Sequence, residues 1–179
     1  VDFALRRGEI HALMGENGAG KSTLMKIAAG LIDDFDGEIA VDGNPVHLNS
    51  PRAATGAGIA MIQQELSLVP ELAVDENIFL GQEKRGGLFL VDRRRQIEAT
   101  RAVLAPLDFQ ARIDQPVSRL RVGEQQLVEI GKALVSKARI LIMDEPTSAL
   151  SIHETERLFA VIRRLSGEGV AIVYISHRM

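Results

Sequence analysis

The stretch Gly15-Glu16-Asn17-Gly18-Ala19-Gly20-Lys21-Ser22 is a full match to the phosphate-cradling pattern G-x-x-x-x-G-K-[ST]. It constrains the chain more than any other feature, because such a loop works only between a strand and a helix. The flanks agree: the apolar run Ile10 to Met14 predicts a buried strand and Ser22 to Ala29 predicts a helix. On a strand-to-helix turn, Gly15, Gly18 and Gly20 can take backbone angles that aim N–H groups at the positive end of the helix, where phosphate is favoured. Asn17, Ala19 and Thr23 complete the loop. Lys21 adds a movable positive charge for the outer phosphates, and Ser22 a hydroxyl for Mg²⁺. The bland alternative, an ordinary glycine loop with a solvated lysine, explains neither the complete pattern nor its setting. By itself the loop implies only that a nucleoside triphosphate binds.

At 179 residues and 46% hydrophobic, the chain is about one domain long and can bury a sizeable core. Charged residues make up 25%, the net charge is −3, and no basic run exceeds Arg93-Arg94-Arg95, so no dedicated nucleic-acid surface is indicated. The absence of cysteine excludes disulfides and thiolate metal sites and fits a reducing compartment, the cytosol by default. No apolar run approaches the roughly 18 residues needed to span a bilayer, and the first residues do not read as a signal peptide. Any membrane role is therefore borrowed from a partner.

Along the chain, Val1, Phe3 and Leu5 alternate as in a strand entered midway. Gly30 ends the helical pattern after the loop, and Gly37 to Gly43 reads as a short strand closing in a turn. Ser50-Pro51 is a favoured helix start, with an end near Gly56-Ala57-Gly58, and Ile59 to Gln63 is a further buried strand. Helices are expected over Val74 to Leu80, with Asp75 as cap, and over Asp92 to Ala105, with Ile97 and Leu104 a heptad apart and an Arg94/Glu98 pair. Gln82 to Gly87 between them reads as an exposed loop. Gly123 to Val135 presents Leu127, Ile130 and Leu134 on one helical face. Strand character returns at Arg139 to Met143 and, after a helix over Ser151 to Leu165, at Val170 to Ile175. Both ends look cut close to a strand.

Strands alternating with helices imply an α/β fold with a mostly parallel sheet flanked by helices. The core is expected over 1–65 and 139–179, truncated at both ends, and an inserted α-helical subdomain over 66–138. Ile140-Leu141-Ile142-Met143-Asp144-Glu145 is an apolar strand delivering two carboxylates to its C-terminal end, where ligands of parallel sheets bind. Asp144 is placed to hold Mg²⁺, directly or through water, and Glu145 to orient and polarise an attacking water.

Gln64 after a strand, Leu120-Arg121-Val122-Gly123-Glu124-Gln125-Gln126 opening a helix, Asp144-Glu145-Pro146-Thr147-Ser148-Ala149-Leu150, and Ile175-Ser176-His177 occur in the order of ATP-binding-cassette ATPases. The chain resembles that P-loop NTPase family over nearly its whole length. More narrowly, His11 to Gly15, Ile62 to Leu66, Glu76 to Gly81 and Tyr174 to Met179 resemble the ATPase subunits of bacterial monosaccharide importers of the ribose, galactose and xylose type. The resemblance implies ATP and Mg²⁺ as ligands, Gln64 as a metal-touching residue that senses the membrane subunit, and His177 as the switch on the γ-phosphate. It also implies a second cassette, usually on the same polypeptide, transmembrane permease subunits, an extracytoplasmic sugar-binding protein acting indirectly, and a peripheral position on the cytoplasmic face of the inner or plasma membrane. His11 is read as structural.

The family's signature, usually L-S-G-G-Q, binds the γ-phosphate held by the opposite cassette. In this chain it consists of Leu120, Arg121, Val122, Gly123, Glu124 and Gln125. Arg121 at the serine position could pair with phosphate or could block the close approach that a small hydroxyl allows. Ser151 stands where many cassettes carry aspartate, but Ser151-x-x-Glu154 is a capping box that keeps the helix-start role. The expectation is that ATP is hydrolysed at the site holding this P-loop, while the site completed by Arg121 is weak or non-hydrolytic. Two other readings are a soluble cassette ATPase acting on DNA or the ribosome, and an ATP-gated interaction module with little turnover. The first lacks the coiled-coil insertions or basic arms of such proteins. The second is favoured by Arg121 and disfavoured by Glu145.

Overall fold

In the computed structural model, which describes residues 1–16, 18–84 and 90–176, four parallel strands form one sheet. They are Ile10–Met14 (β1), Ile59–Ile62 (β4), Ile140–Asp144 (β5) and Ala171–Ser176 (β6), in the order β1-β6-β5-β4. Ala40–Val41 (β2) and Asn44–Pro45 (β3) form a separate antiparallel hairpin. Its turn residues, Asp42 at φ 52° and Gly43 at φ 77°, both have the positive φ that a type I′ turn demands.

The chain divides into two compact units. The first comprises Val1–Gln64, Ser136–Ser148 and Ile162–Met179, the second Glu65–Val135 and Ala149–Val161. This division assigns Ala149–Val161 to the second unit, whereas the sequence boundaries group those residues with the core.

In the first unit, Lys21–Ala28 (α1) and Pro51–Gly56 (α2) supply Met25 and Ala54 to a buried cluster with Ile59, Ile142, Val173 and Ile175. On β5, Leu141, Ile142 and Met143 are each at most 1% exposed, so both faces of the strand are buried, as the continuous apolar run requires. Burying each such side chain contributes about 1.5–3 kcal/mol relative to exposure. Helix α2 starts as expected, with Ser50 Oγ accepting from Ala53 N–H at 3.2 Å and Pro51 at its first position. The expectation of a buried β1 is corrected: it lies at the sheet edge, with Ile10 and Met14 43% and 51% exposed. Val1 to Leu5 forms no strand, and Phe3 and Leu5 instead pack on the core cluster. Phe3 also engages His11, ring edge against ring at 5.0 Å, while His11 Nδ1 lies 3.2 Å from Glu9.

Gly30 ends α1 at φ 67°, where a Cβ would run into the carbonyl of Ser50. Both the left-handed backbone and the close approach exclude a side chain. Gly30→Ala is expected to destabilise the first unit by about 2 kcal/mol or more, read as a lowered urea midpoint with unchanged m-value.

The second unit contains Val74–Ile78 (α3), Arg93–Leu104 (α4), Val122–Val135 (α5) and the start of Ile152–Gly167 (α6). No strand occurs in it among the described residues; Ala73 and Pro116 make an isolated bridge. Gly131 of α5 permits close packing: a Cβ there would meet Leu104 of α4 at 3.2 Å and Ile78 of α3 at 3.3 Å. The cap of α3 is Ala73, not Asp75. Asp75 is fully buried within the first turn and bound by Arg93 at 3.4 Å and by Gln96 Nε2 at 3.3 Å. A buried carboxylate needs such partners, and its pairing ties α3 to α4. Asp92 caps α4, accepting from Arg95 N–H at 3.1 Å, and Arg94 and Glu98 pair at 3.2 Å. Leu104 is buried as expected, but it shares the inward face of α4 with Gln96 and Thr100 rather than with Ile97, which is half-buried. The expected loop Gln82 to Gly87 lies partly outside the described residues.

Candidate functional site

Strand register brings the site together. Met14 pairs with Ser176, Asp144 with Ile175, and Ile62 with Met143, so all four parallel strands end at one edge. Beyond those ends come Gly15, Glu145 and Gln64, at the edge where parallel sheets bind ligands.

The loop after β1 uses left-handed backbone at Gly18 and Gly20, φ 86° and 84°. Gly20 is the N-cap of α1 and offers no side-chain cap, and the first turn carries no acidic residue. The first amides of α1 therefore present positive charge with no internal anion, the condition for holding an external one. Lys21 Nζ donates to the carbonyls of Gly15 at 2.6 Å and Glu16 at 2.8 Å, which brings the ammonium over its own loop.

Ser22 Oγ donates to Asp144 Oδ1 at 3.5 Å, across 122 residues of sequence. A hydroxyl and one carboxylate are hard oxygen donors, and their spacing compares with the ~3 Å between neighbouring oxygens of an octahedral Mg²⁺ shell. Mg²⁺ takes one or two protein oxygens and completes its shell with phosphates and water, so the donor set fits that ion. No cluster of three or more His, Cys, Asp or Glu exists among the described residues, so a protein-only metal cage is not formed there.

Glu145 follows Asp144 with a left-handed backbone, φ 50°. Its N–H donates to Ile175 O at 3.1 Å, and Ser148 N–H returns to Glu145 O at 3.1 Å. Such backbone in a residue with a side chain costs about 1–3 kcal/mol and persists where surrounding structure enforces it. Gln64 is exposed, two residues beyond β4. Asn17 and His177 lie outside the described residues; β6 ends at Ser176, one residue before His177. Exposed Thr23 is the third residue of α1.

In the second unit, Leu120 is buried, Arg121 exposed and Val122 43% exposed at the start of α5. This helix start is occupied from within. Arg121 N–H donates to Glu124 Oε2 at 2.9 Å, Gly123 N–H to Glu154 Oε1 at 3.3 Å, and Gln125 Nε2 to Leu120 O at 3.1 Å. Ser151 and Glu154 form the expected capping box, with Glu154 N–H donating to Ser151 Oγ at 3.3 Å and Ser151 N–H to Glu154 Oε2 at 2.9 Å. Sequence reading missed the further reach of Glu154 to Gly123, and the grip of Glu129 on Ser67 N–H at 2.8 Å. A Cβ at Gly123 would lie 2.8 Å from Glu154 Oε1, so a side chain there would displace the Glu154 carboxylate.

The Glu154 carboxyl is held below its ordinary value, first by the Ser151 hydroxyl and then by the Ser151 and Gly123 N–H groups. Glu76 is held low likewise, first by Ala73 N–H and then by Arg93. A lowered folded pKa means stability present above the unfolded value, near 4.5, and lost as pH falls through the folded values. The urea midpoint is accordingly expected to decline on acidification below about pH 4.5, and less steeply in Glu76→Gln/Glu154→Gln. Equal slopes for variant and parent would refute the assignment.

A model of the ABC transporter family matches residues 1–148. This chain is an ABC transporter family member. It is 54% identical over 180 residues to the ribose import ATP-binding protein RbsA of Yersinia pestis, covering 100% of this chain and 35% of that protein. Identity is 55% over 179 residues to the ribose import ATP-binding protein RbsA of Rhodopirellula baltica, with the same coverage. The cassette thus spans about a third of the length of these relatives. Its fold matches a nucleotide-free ATP-binding cassette from an ABC transporter with TM-score 0.86 at 23% identity, over 98% of this chain and 73% of that one. An ATP-binding cassette in its ADP conformation matches with TM-score 0.86 at 24% identity, over 100% and 74% of the respective chains. The cassette therefore has the P-loop NTPase fold, an α/β parallel sheet flanked by helices.

Proposed function

We propose that this cassette binds ATP with Mg²⁺ at the edge of its sheet and hydrolyses it to drive uptake of a monosaccharide. The observation that carries the reading is the approach of Ser22 to Asp144, which joins the phosphate loop to the carboxylate strand. In this reading the amides of Gly15 to Ser22 and the Lys21 ammonium bind the β- and γ-phosphates, with Asn17, Ala19 and Thr23 completing the loop. Ser22, Asp144 and Gln64 would hold Mg²⁺, which neutralises charge on the phosphate oxygens. Glu145 orients and polarises the attacking water, and His177 contacts the γ-phosphate. In-line attack needs positioning and charge stabilisation rather than covalent chemistry, and these groups supply both.

The partners in this reading are a second cassette, carried on the same longer polypeptide, and transmembrane permease subunits, with an extracytoplasmic sugar-binding protein acting indirectly. Nucleic acid is not among them. No helix among the described residues is long and apolar enough to cross a membrane. The permease would hold the cassette peripherally on the cytoplasmic face of the inner or plasma membrane. The helical stretch 66–138 would face the permease. Leu120 to Gln125 would complete the partner cassette's ATP site, and we read that site as the weaker one. Two N–H groups at the start of α5 are already bonded to Glu124 and Glu154, whereas α1 begins with no such carboxylate.

The test is reconstitution of the complete polypeptide with its permease in nanodiscs. Expected is Mg²⁺-dependent phosphate release that requires the permease and rises when the sugar-loaded binding protein is added. Turnover unchanged by permease, or responding to nucleic acid instead, would overturn the transport reading.

A further inference from the structure

The turn that carries Glu145 is anchored to β6 by a side-chain pair as well as by backbone. Thr147 Oγ1 and Tyr174 OH lie 2.8 Å apart, half-buried, and either can donate to the other. Tyr174 is the chain's sole tyrosine. In β6 it stands in register with Met143 of β5 and Ala12 of β1, so it sits between the strand that delivers Asp144 and the strand that delivers the phosphate loop. Its neighbours Val173 and Ile175, on the opposite face, are each 1% exposed and fix the strand in the core.

The backbone of this turn needs such a restraint. Glu145 is left-handed, and Glu145 N–H to Ile175 O and Ser148 N–H to Glu145 O hold the start and close of the turn. Thr147 lies between those points, and its hydroxyl fastens the middle of the turn to β6. A phenylalanine at 174 would pack in the same volume but would leave the Thr147 hydroxyl without this partner.

We infer that Tyr174 and Thr147 form a positioning clamp that holds the Glu145 turn against β6 and so fixes the backbone from which the Glu145 carboxylate projects. The inference rests on the reading of Glu145 as the water-polarising residue. Neither hydroxyl is assigned contact with ATP, so the clamp acts on the chemical step and leaves nucleotide affinity alone.

The test compares Tyr174→Phe, Thr147→Val, Thr147→Ser, the double variant Tyr174→Phe/Thr147→Val and Glu145→Gln in the full-length polypeptide reconstituted with its permease. Tyr174→Phe and Thr147→Val are each expected to lower kcat about three- to tenfold, as loss of one neutral hydrogen bond allows, with KM for ATP within about twofold of the parent. The double variant should fall no further than the worse single one, and Thr147→Ser should keep near-parental kcat. Parental kcat in both single variants beside an inactive Glu145→Gln would overturn the clamp alone. So would losses that multiply in the double variant, a rise in KM that accounts for the whole loss, or Thr147→Ser falling as far as Thr147→Val. Substantial turnover in Glu145→Gln would instead overturn the reading of Glu145 itself.

Discussion

Glu145→Gln in the reconstituted transporter is expected to reduce steady-state ATP turnover to near background, a loss of about 10²–10⁴-fold, with ATP binding retained. The amide keeps the size of the side chain and removes only its charge and basicity, while Lys21, Ser22 and Asp144 remain. Near-background activity is expected on the proposed reading, in which the site completed by Arg121 is the weaker one. A control follows from the backbone. Glycine adopts φ near 50° without the steric cost a side chain imposes. Glu145→Gly should therefore be equally inactive, yet no less stable to heat than the parent. Retention of most turnover in Glu145→Gln would refute the assignment, and a large loss of stability in Glu145→Gly would refute the account of the turn.

Lys21→Ala acts one step earlier. The ammonium donates to the Gly15 and Glu16 carbonyls at 2.6 and 2.8 Å, so the same amine that would meet phosphate also closes the loop. Each charge-assisted bond contributes about 1.5–3 kcal/mol, and loss of the contacts to phosphate should weaken ATP binding by about 10²-fold or more. Titration of the full-length polypeptide with a fluorescent ATP analogue measures this directly. The two variants then separate: Lys21→Ala loses binding and turnover together, and Glu145→Gln loses turnover alone. Unchanged affinity in Lys21→Ala would remove the loop from the nucleotide site.

The contrast between two helix starts shows how the fold refines what a motif says. Both α1 and α5 open on stretches that the family resemblance associates with phosphate. Only α1 begins on glycine with no acidic residue in its first turn. At α5, Glu124 is local and stands three residues after Arg121, whose N–H it accepts, but Glu154 arrives from 31 residues further along the chain. No periodicity in the sequence announces that contact. The same holds for Asp75, which reads as a helix cap from its neighbours and becomes a buried ion-pair partner because α4 packs over it.

From sequence alone came the phosphate loop, the order of strands and helices, the capping residues Ser50 and Ser151, and the carboxylate pair at the end of an apolar run. These depend on neighbours within a few residues, where backbone preference and hydrophobic period act directly. Tertiary structure alone decided that β1 is an exposed edge strand, that Ser22 meets Asp144, that Glu145 is left-handed, and that Tyr174 fastens Thr147. Each depends on parallel register between strands far apart in the chain, and a parallel sheet sets its register through long crossovers that leave no mark in any short window of sequence.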